Sequence, residues 1–118
     1  TKLALAMTAA LCASCGPGNS GGKDPAIPGT EGYDPAKIEL AKKSNCFSCH
    51  AMGKKMIGPS FKDIAAKYRG DAGAEEKLIH KAARGSSGTW GSIPMPANSP
   101  SVPEADIQAL VKFTLELK

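Results

Sequence analysis

Four stretches of the chain place apolar residues at the spacing of one helix face, and none shows the convincing two-residue alternation of a strand. The clearest is FKDIAAKY at 61–68, because Ser60 precedes it as an N-cap and Gly70 follows it as a stop signal. Its apolar positions fall at i, i+3, i+4 and i+7: Phe61, Ile64, Ala65 and Tyr68. The pattern predicts an all-α domain of about four short helices.

The first predicted helix begins at Asp34, whose carboxylate caps the N-terminus, and the proline that follows suits the first helical position. Tyr33 and Ile38 stand where a hydrophobic staple joins the residue before the cap to the fourth helical residue. We expect this helix to run into Asn45 and to deliver Cys46 at its end.

Two further helices are predicted downstream. One spans about 74–84, with glutamates in its first turn and Gly85 at the position after its end. The other opens with a capping box of Ser101 and Glu104 and has Pro103 in its first turn. Their apolar residues are expected to be buried: Leu78, Ile79, Ala82 and Ala83 in the third helix, and Ile107, Leu110, Val111 and Phe113 in the fourth.

The region before the helices has a different composition. Residues 1–22 contain a lysine, an apolar stretch and then glycine, proline and serine, which is the order of a secretory signal peptide followed by the start of a linker. Residues 23–32 are predicted to be a flexible linker rich in glycine and proline, and 33–118 the folded domain. The sequence therefore predicts export to the periplasm or to the outer face of the bacterial cytoplasmic membrane.

Cys15 ends the tetrapeptide CASC, which resembles a bacterial lipobox, where small residues precede a cysteine that becomes lipidated. Lipidation would tether the domain to a membrane surface through the linker. Cys12 stands where the lipobox usually has leucine, and a CxxC redox pair or a disulfide is the alternative interpretation.

The composition of the chain argues against some classes of protein. The formal charge of the 118 residues is +4 and the basic residues are scattered, so no nucleic acid partner is predicted. No stretch approaches the ~18 consecutive apolar residues of a membrane-spanning helix, so none is predicted in the mature chain. Large aromatic residues are few, with three Phe, two Tyr and one Trp, so a chain this small is expected to need a staple, a metal or a cofactor, with something large and apolar at its centre.

The segment NCFSCH places Cys46 and Cys49 three positions apart, with His50 directly after them. CxxCH is the attachment signature of c-type haem: each thiol forms a thioether with a vinyl group, and the histidine takes one axial site on the iron. A redox dithiol needs a βαβ context that is missing here. A zinc site needs about two more ligands, and His80 is the only other histidine. The sequence therefore predicts one covalent haem c.

Met95 is predicted as the sixth ligand, because the prolines on both sides of it stiffen the loop and remove two N–H donors. Met52 is only two residues from His50, too close for the chain to pass around the ring. Met56 would need an almost fully extended loop, and His80 falls on the polar face of its helix. Lysine side chains and water are further candidates, and an apolar gap filler is the alternative role for Met95.

The segments CFSCHAMGKKMIGPSFKDIAAKYRGDAGAEEKL and GSSGTWGSIPMPAN together resemble the small single-haem class I bacterial cytochromes c of the c-551 type. The resemblance covers about 34–118. It implies the class I cytochrome c fold, with short helices wrapped around one haem c, and it implies His50 and Met95 as the axial pair on the iron. It also implies crossed terminal helices, with these contact residues: Ile38, Leu40, Leu110 and Phe113.

The same resemblance implies further site residues. The carbonyl of Pro59 would accept a hydrogen bond from Nδ1 of the axial histidine and so fix its ring. The indole of Trp90 and the basic side chain of Lys81 would reach a haem propionate, and Asn98 would steady the methionine sulfur. Members of this family are usually soluble in the periplasm, whereas Cys15 suggests an anchored form.

A His/Met iron has no free position for a substrate, so the predicted protein is an electron carrier and not an enzyme. Expected partners are exported or membrane-bound respiratory complexes, such as a quinol-oxidising complex or a terminal oxidase or reductase. Two alternatives are a haem domain with an exchangeable sixth ligand, peroxidase-like or gas-sensing, and an electron-entry subunit of a larger oxidoreductase.

The predicted partner surface has an apolar and a basic component. The apolar residues that flank the ligand loops are expected at the exposed haem edge: Ile57, Ile93, Pro94 and Ala97. Lysines near the attachment segment would form a basic rim that steers acidic partners, or else a merely solvated surface: Lys42, Lys43, Lys54 and Lys55.

Overall fold

Four α-helices and one short 3-10 helix build residues 25–118, the part of the chain that this computed structural model describes. Their bounds are α1 Pro35–Lys43, the 3-10 helix Cys46–Ser48, α2 Phe61–Tyr68, α3 Ala74–Arg84 and α4 Glu104–Leu115. Within that range no strand forms, and the one β-type pairing is an isolated antiparallel bridge between Ser86 and Met95. The all-α prediction is confirmed. Predictions that concern residues 1–22, including those on Cys12 and Cys15, lie outside the described residues.

α1 begins as the sequence predicts, because the side chain of Asp34 accepts a hydrogen bond from the N–H of Ala36 at 2.9 Å. The helix ends earlier than predicted, at Lys43, and does not reach Asn45. Asn45 adopts a left-handed conformation, with φ of 62°. A helix cannot continue through that conformation, so the chain turns there and enters the 3-10 helix with Cys46.

Ser60 caps α2, as predicted: its Oγ accepts the N–H of Asp63 at 3.0 Å, and the side chain is fully buried. Phe61, on the same helix, is buried in the main core cluster. The other buried members of that cluster come from α2, from α4 and its C-terminal end, and from the loop after the 3-10 helix: Ala65, Phe113, Leu117 and Met52.

The terminal helices meet through this cluster. Ile38 of α1 packs against it, and the ring of Tyr33 meets that of Phe113 edge-on, with centroids 6.1 Å apart. Burying a side chain of this size contributes roughly 1.5–3 kcal/mol. The predicted contact between α1 and α4 is present. Leu110, expected in the same contact, lies on the wall of a cleft.

α3 has the predicted bounds, and Gly85 follows it with a φ of 82°. Its apolar stripe is only half-buried, and Ala74 is the fully buried residue of the helix. The reason is that Leu78 and Ala82 of this stripe line the cleft.

The capping box predicted at the start of α4 is wrong. The helix begins at Glu104, and Pro103 precedes it as the N-cap residue without a side-chain cap. Proline disfavours the helical conformation in the residue before it, so Val102 cannot open a helix capped by Ser101. The N–H of Val102 donates instead to the carbonyl of Asn98 at 2.8 Å, in a turn.

The described part of the predicted linker contacts the domain. Thr30 Oγ1 donates to the carbonyl of Ile27 at 2.7 Å, which closes a turn. A Cβ added at Gly29 would lie 3.4 Å from Cβ of Met52, so this turn covers a residue of the core. Among residues 25–118, no helix has both the length and the apolar character that crossing a membrane requires.

We expect Ser60→Ala to lower the free energy of unfolding by about 1 kcal/mol, because α2 loses the acceptor for an N–H in its first turn. Ser101→Ala is the matched control, because Ser101 is exposed and does not cap α4. Urea denaturation followed by circular dichroism measures both. Equal losses in the two variants would contradict the assignment of the caps.

Candidate cofactor site

A single cleft collects residues from every helix except α1. Its walls come from the 3-10 helix, the loop at 57–59, the inner faces of α2, α3 and α4, and the loop at 86–98. Most of the lining side chains are apolar, and in the part of the chain that the structure describes Lys81 is the only charged residue among them. A large apolar group with a few polar contacts fits a cleft of this kind.

The CxxCH motif lies on one wall of this cleft, with Cys46, Cys49 and His50 all in its lining. The tight turn comes from the backbone, because the N–H groups of Cys49 and His50 both donate to the carbonyl of Cys46, at 3.2 and 3.0 Å. Both cysteines are free thiols and half-buried. Burial raises the pKa of the Cys46 thiol, so this sulfur is protonated at neutral pH.

The His50 imidazole is held by two neighbouring residues. Its Nδ1 lies 2.6 Å from the carbonyl oxygen of Pro59, so the predicted contact is present. A carbonyl only accepts, so Nδ1 carries the proton and Nε2 is left as the nitrogen with a free lone pair. The ring is also tilted against Phe61, with centroids 5.3 Å apart.

Gly58 is a site residue that the sequence did not reveal. A Cβ added there would lie 2.7 Å from Cε1 of His50 and 3.0 Å from Nδ1, so the imidazole occupies the space of the missing side chain. The Gly58 N–H donates to the carbonyl of Cys49 at 2.8 Å, which draws the loop onto the motif. The glycine directly before Pro59 was the available signal.

Met95 lies in the lining of the same cleft, on the loop at 86–98. Its N–H donates to the carbonyl of Ser86 at 2.8 Å, and the Ser86 N–H donates back at 3.1 Å. Gly85 allows this close approach, because a Cβ there would lie 2.8 Å from the Met95 carbonyl oxygen and 3.0 Å from the N of Ala97. The flanking prolines and this two-way bridge hold the methionine backbone against the end of α3.

Asn98 joins the far end of the loop to α3. Its backbone N–H and its side-chain Nδ2 both donate to the carbonyl of Ala82, at 3.2 and 2.9 Å. The side-chain amide has two N–H groups, so one remains beyond the bond to Ala82. Asn98 and Met95 both line the cleft.

Trp90 and Lys81 also lie in the lining. Lys81 Nζ donates to Thr89 Oγ1 at 2.7 Å, and Trp90 is the next residue of the loop. The Trp90 side chain is 42% exposed, so it stands at the mouth of the cleft. Thr89 had no signal in the sequence, because its contact depends on how the loop folds over α3.

The other methionines and the histidine considered as the sixth ligand lie outside the cleft lining. Met52 is 1% exposed and packs in the core cluster, and Met56 is 46% exposed outside the cleft lining. His80 is exposed and lines a separate groove of mixed polar and apolar residues beside α3. Of the residues predicted at the haem edge, Ile57 and Ile93 line the cleft together with Pro94, whereas Ala97 lies in the groove beside His80.

The residue set fits the predicted c-type haem. Two thiols at CxxC spacing, an imidazole with a free Nε2 and a thioether all lie on the walls of one apolar cleft. A cationic side chain at the mouth suits the carboxylates that haem carries. In the described part of the chain, no group of three or more His, Cys, Asp or Glu side chains could hold a metal ion by itself.

The comparisons with known proteins all match the chain to members of one family. The model of the family described as Cytochrome c matches residues 38–118. Cytochrome c-551 of Allochromatium vinosum is 50% identical over 82 residues, which cover 70% of this chain and 86% of that protein. Cytochrome c-552 of Nitrosomonas europaea is 49% identical over 87 residues, which cover 74% of this chain and 84% of that protein. The crystal structure of wild-type Nitrosomonas europaea cytochrome c552 matches with a TM-score of 0.66 and 49% identity, covering 69% of this chain and 99% of that one.

We expect Gly85→Ala to destabilise the fold more than Gly88→Ala. Both glycines have positive φ, 82° and 87°, so both variants carry backbone strain on the order of 1–3 kcal/mol. Only at Gly85 does the new Cβ also collide with the Met95 loop, since nothing lies within 4 Å of Cβ at Gly88. Urea denaturation gives the two free energies, and equal values would show that the loop yields to the added methyl group.

Proposed function

Because the chain belongs to the cytochrome c family, which holds haem c covalently, we propose that it is a monohaem electron carrier whose iron is ligated by His50 and Met95. The observation that carries the proposal is that both side chains line one apolar cleft from different segments of the chain. When bound, the haem supplies a one-electron Fe(II)/Fe(III) couple. The protein's share is to attach, orient and shield it.

Cys46 and Cys49 are the proposed attachment points. Their sulfurs sit on a turn that is closed by two hydrogen bonds to the Cys46 carbonyl, so both reach the cleft from one side. Covalent attachment would also fill the cleft, whose walls supply much of the apolar surface of α3 and α4. We therefore expect the haem to contribute to the stability of the fold as well as to its function.

His50 is the proposed ligand on the attachment side. The Pro59 carbonyl at 2.6 Å holds Nδ1 protonated and fixes the ring plane, and it raises the basicity of Nε2 toward the iron. The imidazole is 9% exposed, so water has little access to it. A ring held in this way keeps its position in both oxidation states, which keeps the reorganisation on electron transfer small.

Met95 is the proposed ligand on the other side. The bridge to Ser86, the flanking prolines and the contact with Gly85 hold its loop against α3. A thioether ligand favours Fe(II) and raises the reduction potential relative to a second histidine. With His50 and Met95 as its two ligands, the iron would have no position for a substrate, so we propose a carrier and not an enzyme.

The surface around the cleft suits transient redox encounters. Ile57 is 56% exposed and Ile93 65% exposed, and both belong to the cleft lining. Lys54 and Lys55 are exposed on the loop that leads to Ile57. An apolar contact edged by lysines would dock acidic partners over a small area, below about 1,200 Å² in all. We propose exported or membrane-bound respiratory complexes as those partners.

The alternative of an exchangeable sixth ligand has less support. A peroxidase-like or gas-sensing site needs a histidine or arginine beside the open position. Among the described residues that line the cleft, His50 is the only histidine and no arginine is present.

We expect Met95→Leu to leave the haem attached but to open the iron to carbon monoxide, because the sulfur ligand is lost. Met56→Leu is the matched control, since Met56 is exposed and outside the cleft lining. Visible spectra of the oxidised and reduced proteins, with and without carbon monoxide, give the answer. In the wild type and the control, the charge-transfer band from sulfur to ferric iron should be present. If that band survived in Met95→Leu, the axial role would belong to another residue.

We further propose that the chain is exported and held at the outer face of the membrane by a lipid on Cys15. The linker would then keep the domain at high effective concentration near membrane-bound partners. Cys15→Ser should release the protein from washed membranes in cell fractionation, whereas Cys12→Ser should leave it bound. Retention of the Cys15→Ser protein would exclude the lipid as the only anchor.

A further inference from the structure

Lys67 contacts a residue of the cleft without lining the cleft itself. It lies in the last turn of α2, and its Nζ is 5.3 Å from the centroid of the Trp90 indole. An ammonium group at this distance over an indole face makes a cation–π contact. The contact ties the C-terminal end of α2 to the loop at 86–98, which among the described residues makes no hydrogen bond to that helix.

The same stretch of loop is held from its other side by α3. Lys81 Nζ donates to Thr89 Oγ1, so two ammonium groups from two helices hold consecutive residues, Thr89 and Trp90. This stretch is a tight turn, in which the Gly88 N–H donates to the Gly91 carbonyl at 3.0 Å. The position of the indole at the mouth therefore depends on the two lysines as well as on the turn.

Neither lysine pairs with an aspartate or glutamate in the part of the chain that the structure describes. Lys67 contacts an aromatic ring and Lys81 a neutral hydroxyl, and neither forms an ion pair within residues 25–118. No aspartate or glutamate of that range lines the cleft. This side of the mouth is therefore positively charged, whereas Ile57 and Ile93, also in the cleft lining, are uncharged and exposed.

We propose that Lys67 is a positioning residue of the electron carrier: it holds the Trp90 indole at the mouth and adds a second positive charge to the side that receives the anionic edge of the haem. The inference rests on the proposed function. A cation near the iron favours the reduced form, because reduction adds a negative charge to the site. Lys67 therefore raises the reduction potential, and its exposure makes this contribution sensitive to salt.

The test compares wild-type holoprotein with Lys67→Gln, Lys67→Arg and Lys62→Gln. Lys62 is the matched control, because it lies on the same helix and its Nζ is 5.9 Å from the centroid of an aromatic ring, that of Tyr33, which does not line the cleft. Glutamine removes the charge but keeps the helix preference of lysine, and arginine keeps the charge and stacks on indole. Near-ultraviolet circular dichroism reports the indole, and spectroelectrochemistry at low and high salt reports the potential.

Lys67→Gln should lower the potential and weaken the indole bands, with the potential shift largest at low salt. Lys67→Arg should restore both, and Lys62→Gln should leave both unchanged. The inference is overturned if Lys67→Gln matches the wild type in potential and in the indole bands, or if Lys62→Gln lowers the potential equally. A wild-type protein without a low-spin haem couple would instead overturn the proposed function, and the inference with it.

Discussion

The hydrogen bond between Nδ1 of His50 and the carbonyl of Pro59 is the contact on which the site and the fold both depend. Three consecutive residues connect the site to the fold. Pro59 accepts from the imidazole, Ser60 caps α2, and Phe61 packs against the same imidazole and in the core cluster. Because these roles are adjacent in the chain, the orientation of the proposed ligand follows from the start of a helix. A rigid helix end holds a ring more firmly than a loop does.

On the opposite wall of the cleft, backbone contacts hold the loop that carries Met95, the other proposed ligand. Gly85 ends α3 and leaves room for the Met95 loop, which pairs with Ser86 and is tied to α3 through Asn98. A loop that is already ordered loses little conformational entropy when its side chain binds a ligand. The two proposed ligands thus come from segments that are far apart in sequence, each held by its own helix end.

Charged and apolar residues lie at different places around the mouth of the cleft. Ile57 and Ile93 are exposed at the mouth. The turn at Thr89 and Trp90 is contacted there by two cationic side chains, those of Lys81 and Lys67. In the proposed carrier, an apolar contact area with few charges at its centre would let partners dissociate quickly, while the two lysines would act on the reduction potential. In the proposed carrier, docking and the reduction potential could therefore be altered by different substitutions.

The sequence alone determined the local features whose causes lie within a few residues. These include the cap at Ser60, the bounds of α3 and, through the family resemblance, the contact between His50 and Pro59. It misjudged the start of α4, because the effect of Pro103 on the residue before it outweighed the capping pattern.

Only the tertiary structure decided which residues share space across segments. It showed that Gly58 makes room for the imidazole, that Met52 is core and that Lys67 stacks on Trp90. Such contacts depend on the path of whole loops through space, and neither periodicity nor motif spacing along the chain contains that information.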